Sequence, residues 1–316
     1  MMKLGIVSPC YNEQDVLEES AKRLGSVLVD LYKKGKISSD SFILYVNDGS
    51  KDDTWHIIEQ LHNKHKYING LNLAHNVGHQ NAILAGMMNA KDICDGVITI
   101  DCDLQDDINC IEKMIDLFCE GNDIVYGVKI SRKADSFMKK ITAQLFYSIQ
   151  SSMGVQAIYN HADFRFMSVR ALNALSQFPE RNIYLRGLIP LLGFKTAIVE
   201  DIISNRIAGK SKYSLSKMLR LASDGITSFS SKPMTLVLGA GILMLIVSLI
   251  MAIYVIVSLI MGHYVVGWSS IMLSIWFIGA VVTIGIGITG TYIGKIYMEV
   301  KQRPLYIVSD KLIHNL

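Results

Sequence analysis

The sequence predicts an α/β protein: a mostly parallel, doubly wound sheet followed by two membrane-crossing helices. Three observations carry this reading. Apolar strand-like runs alternate with amphipathic helical ones over roughly the first 200 residues, the rhythm of a parallel sheet with crossover helices. Polar motifs fall at the ends of the apolar runs, where open α/β sheets bind ligands. Two long stretches near the C-terminus are almost free of charge.

The elements follow in order. "LGIVSP" reads as a strand, and Glu13 to Leu31 as a helix. "FILYVND" is the second strand, with a helix from about Asp53 to Lys64. "INGLNLA" is the third, followed by a helix near Gln80 to Ala90. "GVITIDCD" is the fourth, then a helix from about Asn109 to Glu120 and a further strand, "DIVYGV". "SPCYNE", "NDGSKDD" and "DCDLQDD" stand at the ends of the first, second and fourth strands.

Met234 to about Met261 and Ser270 to about Tyr292 each exceed the roughly 20 residues that span a bilayer. Core helices of a soluble domain are the alternative, but charge-free runs this long favour the membrane. The turn between them, "GHYVVGW", has no Lys or Arg, whereas Lys232, Lys295, Lys301 and Arg303 flank the pair. The positive-inside rule then predicts a multi-pass protein of the inner or plasma membrane, with the N-terminal α/β domain and both termini cytoplasmic. Gly290 and Gly294 form a GxxxG pair, which permits close packing within the hairpin or in a homo-oligomer. Two amphipathic stripes, about 135–153 and 214–232, read either as core-facing helices or as helices lying in the membrane interface. The predicted organisation is an α/β domain over 1–213, including the stripe at about 135–153, a juxtamembrane helix over 214–232, two spans over 233–297 and a cytoplasmic tail over 298–316.

Composition agrees with this division. Hydrophobic residues make up 50% and mean hydropathy is +0.31, high for a purely soluble chain. The net charge of +3 argues against a nucleic-acid binder. Five cysteines, with no CxxC pair, argue against a disulfide framework or a zinc site.

The most informative stretch is "VITIDCDLQDD". A core strand ends in a cluster of carboxylates, which repel one another unless something positive sits among them. Asp101 and Asp103 point to opposite faces while the chain is extended, but a turn beyond the strand brings both to one ion. Hard oxygen ligands without a His or Cys pattern favour Mg2+ or Mn2+, with substrate phosphates completing the shell. A solvated acidic loop that caps the next helix is the other reading of these residues alone.

The order "SPCYNE", "VNDGSKDDT", "NVGHQNAILAGM", "DCDLQDD", "ADFRFMS", "RIAGKSKYS" resembles the family 2 glycosyltransferases of GT-A fold. Within them it is most similar to the polyisoprenyl-phosphate branch, the dolichol-phosphate mannose synthase and undecaprenyl-phosphate glycosyltransferase group. The resemblance covers essentially the whole chain. It implies that Pro9, Tyr11, Glu13 and Asp48 bind the nucleotide of the donor, and that Asp101, Asp103 and Gln105 hold the metal against its diphosphate. Asp163 and Arg165 match the acceptor-side motif, where Asp163 would orient the acceptor or act as a base. The family often continues the acidic motif with two prolines, where this chain has Asp107 and Ile108.

A lipid-phosphate acceptor calls for cations near the membrane. Lys129, Arg132, Lys133, Lys139 and Lys140 form one basic group, and Arg206, Lys210, Lys212, Lys217 and Arg220 another. Arg132, Arg206 and Lys212, with the Ser211 hydroxyl, are the expected phosphate contacts; adhesion to anionic headgroups is compatible with the same residues. The resemblance implies a reaction that moves a sugar, glucose or N-acetylglucosamine, from a UDP donor to undecaprenyl phosphate with inversion, for cell-envelope glycan modification. Asp103, Asp163 and Arg165 are the expected catalytic residues. A processive polysaccharide synthase is disfavoured because no QxxRW motif occurs. An inactive scaffold of the same fold is disfavoured by the intact motifs. A transporter is disfavoured by two spans without charge inside them.

Overall fold

The structure, a computed structural model, describes residues 1–129, 161–201 and 267–314, with scattered positions between 234 and 261. Its strands are β1 (Leu4–Cys10), β2 (Phe42–Asn47), β3 (Ile68–Leu73), β4 (Gly96–Thr99), β5 (Ile124–Lys129), β6 (His161–Ser168), β7 (Thr196–Asp201) and β8 (Val308–Leu312). Its helices are α1 (Leu17–Lys33), α2 (Thr54–Lys64), α3 (His79–Ala90), α4 (Cys110–Cys119), α5 (Val169–Leu175), α6 (Leu185–Leu191) and α7 (Trp268–Lys301).

The strands form one sheet in the order β7-β5-β6-β4-β1-β2-β3-β8. β1 pairs in parallel with β2 and β4, β2 with β3, and β5 with β7. β6 runs antiparallel to β4 and β5, and β8 antiparallel to β3. The sheet is therefore mixed. The predicted βαβα half is parallel; the antiparallel strands come from segments that the periodicity leaves unassigned.

Both faces of the sheet are covered. Leu24, Leu28 and Leu31 of α1, Ile58 of α2 and Ile111 and Ile115 of α4 are buried on one face. Ala82, Ala85 and Met87 of α3, Leu172 of α5 and Leu185 and Leu188 of α6 are buried on the other. Each fully buried Leu or Ile contributes about 1.5–3 kcal/mol. Helix α3 lies so close to the sheet that a Cβ at Gly86 would stand 2.3 Å from Val7 Cγ1. That contact fixes α3, whose N-terminus opens on the site described below.

Residues 298–316, expected as a tail, hold the end of α7 and then β8. Gly70 pairs with Leu312 and Asn72 with Asp310, and Leu305, Tyr306 and Val308 pack against the core. The strand carries Ser309, Asp310 and Lys311 outward, charges that blunt a sheet edge. Five residues of so polar a strand leave no alternation to detect.

Helix α7 has 34 residues. Its stretch Phe277–Lys301, of mean hydropathy 1.7, is long and apolar enough to cross a membrane, and it is not buried among the described residues. Ile278, Val282, Ile286 and Ile293 are each more than half exposed. The other expected span, 234–261, has only scattered described positions, and the stripes at about 135–153 and 214–232 lie outside the described residues.

Candidate active site

The strand order reverses between β1 and β4, since β2 and β3 follow β1 on one side while β4 lies on the other. Ligands bind at such a switch point, beyond the carboxyl ends of the strands. A cavity of about 500 Å³ opens there. Pro9, Tyr11, Glu13, Asp48, Asp101, Asp103, Gln105 and Asp163 all line it, joined by His79, Lys129 and Arg186.

The loops after β1 and β2 are laced together. Asn12 takes a left-handed backbone, φ +53°, a conformation its short polar side chain tolerates. Its N–H donates to Ser50 Oγ at 3.0 Å and its Oδ1 accepts from Lys51 N at 2.9 Å. Glu13 N donates to Thr54 Oγ1 at 3.0 Å. Asp48 is buried, and its carboxylate accepts from Val77 N at 2.7 Å and Gly78 N at 3.1 Å. Besides lining the cavity, it therefore holds the segment that presents His79 at the start of α3. Gly49 permits this approach: its φ is +62°, and a Cβ there would lie 2.5 Å from Asn76 N.

Asp101 and Asp103 reach the same cavity because the chain turns sharply between them. Leu104 N donates to Asp101 O at 3.2 Å and Gln105 N to Asp103 Oδ1 at 3.3 Å. Leu104 adopts φ +47° with its side chain buried. A non-glycine residue in that region costs about 1–3 kcal/mol, which core packing of the leucine offsets. Asp107 stands where the family often has proline. Its N–H donates to buried Asp201 Oδ1 at 2.8 Å, a bond proline could not make. Its Oδ1 accepts from Asn109 N at 3.0 Å. Hydrogen bonds thus hold the turn at Asp107.

The opposite wall is cationic around one carboxylate. Asp163 Oδ1 accepts from Arg165 Nη2 at 2.7 Å and Arg186 Nε at 3.3 Å, and Oδ2 from Arg186 Nη2 at 3.2 Å. His79 Nε2 lies 3.3 Å from Asp163 Oδ2 and 3.5 Å from Asp101 Oδ1. Burial alone would raise the Asp163 carboxyl; Arg186, the His79 hydrogen bond and Arg165 outweigh it and hold it well below the usual carboxylate range. Desolvation opposes a charged His79, yet Asp163 and Asp101 push its pKa up to about 9. Burial, then repulsion from Asp163 and Asp103, raises the Asp101 carboxyl. Lys129 Nζ sits 2.9 Å from buried Asp106 Oδ1.

Arg165 does not line the cavity. It is 1% exposed and backs Asp163 from within the sheet, so its contact with the site passes through that carboxylate. Arg132, Arg206, Ser211 and Lys212 lie outside the described residues. His79 and Arg186 escaped the sequence reading. His79 sits inside the quoted "NVGHQNAILAGM" and could have been flagged as an ionisable group at a helix start. Arg186, in "YLRGLIP", carries no local signal, since its partner Asp163 stands 23 positions away on β6.

The switch-point cavity thus has an acidic turn on one wall and a cationic cluster around Asp163 on the other. The glycosyl transferase family 2 pattern matches residues 5–176, and the chain belongs to that family. It is 47% identical to the uncharacterized glycosyltransferase YkoT of Bacillus subtilis, over 98% of this chain and 92% of that protein. It is 35% identical to the bactoprenol glucosyl transferase of Shigella phage SfII, over 97% of each. Among solved structures, it is similar to Mycobacterium tuberculosis glucosyl-3-phosphoglycerate synthase in complex with Mn2+, UDP and phosphoglyceric acid, at 14% identity, 72% and 76% coverage and a TM-score of 0.47.

Proposed function

We propose that the chain transfers glucose from UDP-glucose to a polyprenyl phosphate, bactoprenol (undecaprenyl) phosphate, with inversion at the anomeric carbon. The observation that carries this reading is the two-walled cavity at the switch point. Similarity to bactoprenol glucosyl transferases over nearly the full chain supports the choice of sugar and acceptor.

Pro9, Tyr11 and Glu13 form the nucleotide wall. Asp101 and Asp103, with Gln105, are the residues that would hold Mg2+ or Mn2+. Among the described residues no three carboxylates, imidazoles or thiols converge into a complete cage, which suits an ion held by two carboxylates and donor phosphates. The raised pKa of Asp101 marks a spot that a cation relieves. When bound, the ion offsets charge that builds on the leaving diphosphate. Arg186 and His79 place further positive charge beside the reacting phosphates. The acceptor phosphate, with a second pKa of about 6, arrives largely ionised, so no strong base is needed. Asp163, already ionised and engaged by cations, is a poor proton acceptor and serves to orient Arg186 and His79. Arg132, Arg206, Ser211 and Lys212 complete the acceptor phosphate site.

The membrane reading is a two-span hairpin with both ends and the catalytic domain on the cytoplasmic face. Strand β8 follows α7 and joins the sheet that carries the site. A chain that crosses on α7 and ends in that sheet must cross once more beforehand, and 234–261 is the apolar stretch between 201 and 268. A Cβ at Gly285 would lie 3.2 Å from Val237 Cγ1, so that stretch approaches α7. A reporter in "GHYVVGW" labelled only from inside would reverse this topology.

The test is purified protein in detergent with undecaprenyl phosphate, Mn2+ or Mg2+ and a panel of UDP- and GDP-sugars, read by mass spectrometry. Lipid-linked glucose that disappears with EDTA is expected. N-acetylglucosamine on the lipid would correct the donor. Metal-dependent UDP binding without transfer to any acceptor would favour the inactive scaffold.

A further inference from the structure

Helix α7 contains one acidic residue, Glu299, in its last turn. A carboxylate there stands against the negative end of the helix dipole, an unfavourable place unless donors compensate. They do. Both oxygens accept from Arg181 N at 2.9 Å, and Oε1 also accepts from Asn182 N at 2.8 Å. Charge-assisted bonds to backbone N–H groups are among the stronger kind.

The segment so gripped leads straight to the active site. Leu185 N donates to Gln80 Oε1 at 2.9 Å, on the residue next to His79. The following residue, Arg186, reaches both oxygens of Asp163. One carboxylate on the apolar helix therefore fixes the stretch that delivers Arg186 and abuts the start of α3. The same helix end is tied to the far edge of the sheet by β8, where Ala74 N donates to Ile307 O at 2.9 Å.

We propose that Glu299 is a positioning residue: it couples the apolar helix to the catalytic centre by setting the 181–186 segment, and through it Arg186, for the transfer step. The inference rests on the transferase reading above. It assigns the carboxylate a role in kcat, because Arg186 faces the reacting phosphates, and little role in holding the nucleotide.

The experiment compares full-length wild type, Glu299→Ala and Glu299→Gln in detergent, with UDP-glucose and undecaprenyl phosphate as substrates. Glu299→Ala should lower kcat on the order of tenfold, since small misplacements of catalytic groups are costly, with the KM for UDP-glucose within about twofold. Glu299→Gln retains an acceptor oxygen and should recover most of the rate. In an Arg186→Ala background, Glu299→Ala should add no further loss. Hydrogen exchange provides a readout independent of turnover: the Arg181 and Asn182 amides should exchange on the order of tenfold faster in the alanine variant and stay protected in the glutamine variant. Unchanged kcat, equal damage from Ala and Gln, or a further multiplicative loss on Arg186→Ala would overturn the proposal. If wild type transfers no sugar, the transferase reading fails and the role in kcat falls with it; unchanged amide exchange would overturn the structural coupling itself.

Discussion

The two walls of the cavity are built differently. On the wall proposed for the nucleotide, Pro9, Tyr11, Asp48, Asp101 and Asp103 sit in or just beyond the carboxyl ends of β1, β2 and β4, in parallel register. On the opposite wall, Asp163 sits near the amino end of β6, which is antiparallel to β4, and Arg186 comes from a short helix. The first wall is assembled from local motifs, each of which folds with its own strand. The second exists only after β6 inserts between β4 and β5. The contrast teaches that one wall is a local property of the βαβα half, while the other depends on long-range assembly.

Mutations can break this division. Asp103→Ala should have the largest effect, a loss of turnover on the order of 10³-fold, together with loss of metal-dependent UDP binding by calorimetry. Retained metal-dependent binding would remove Asp103 from the nucleotide wall. Arg186→Ala should lower kcat on the order of 10²-fold while UDP-glucose KM changes little; a matching rise in donor KM would merge the two walls. Asp48→Asn turns one acceptor into a donor facing a buried N–H, a cost of about 1–3 kcal/mol. It should raise the donor KM severalfold and lower Tm, and a normal KM would confine Asp48 to scaffolding.

The smallest effect tests the second wall away from the cavity. Asp123 accepts from Ser168 Oγ at 2.8 Å and is paired with Arg170, anchoring the end of β6. The Arg170 hydrogen bond lowers its pKa below the ordinary value near 3.9. A depressed folded-state pKa contributes stability above the unfolded value, lost as pH falls through the folded one. Asp123→Asn should therefore lower Tm slightly at pH 7, by about 1–2 °C, and the difference should shrink as pH falls below the ordinary carboxyl range and through the lowered pKa of Asp123. A deficit that persists in acid would assign the loss to packing instead of charge.

Legibility in the sequence followed the same line. The strands and helices through β5 were readable because apolar alternation and amphipathic spacing are local properties, and boundaries differ by a few residues: α1 starts at Leu17 where Glu13 was expected. Asp101 and Asp103 were readable because carboxylates at a strand end are chemically conspicuous. Arg165 was readable as a motif residue, but its place behind Asp163 was not, since burial of an arginine depends on what packs over it.

The sequence by itself determined the α/β class, the parallel half of the sheet, the acidic turn and the apolar helix at α7. Those depend on side-chain patterns within a few residues of each other. Only the tertiary structure decided that β6 and β8 run antiparallel, that His79 stands between Asp101 and Asp163, and that Glu299 holds the segment that carries Arg186. Each of these contacts joins residues dozens to hundreds of positions apart, and their distances follow from strand order and helix packing, not from any local preference of the chain.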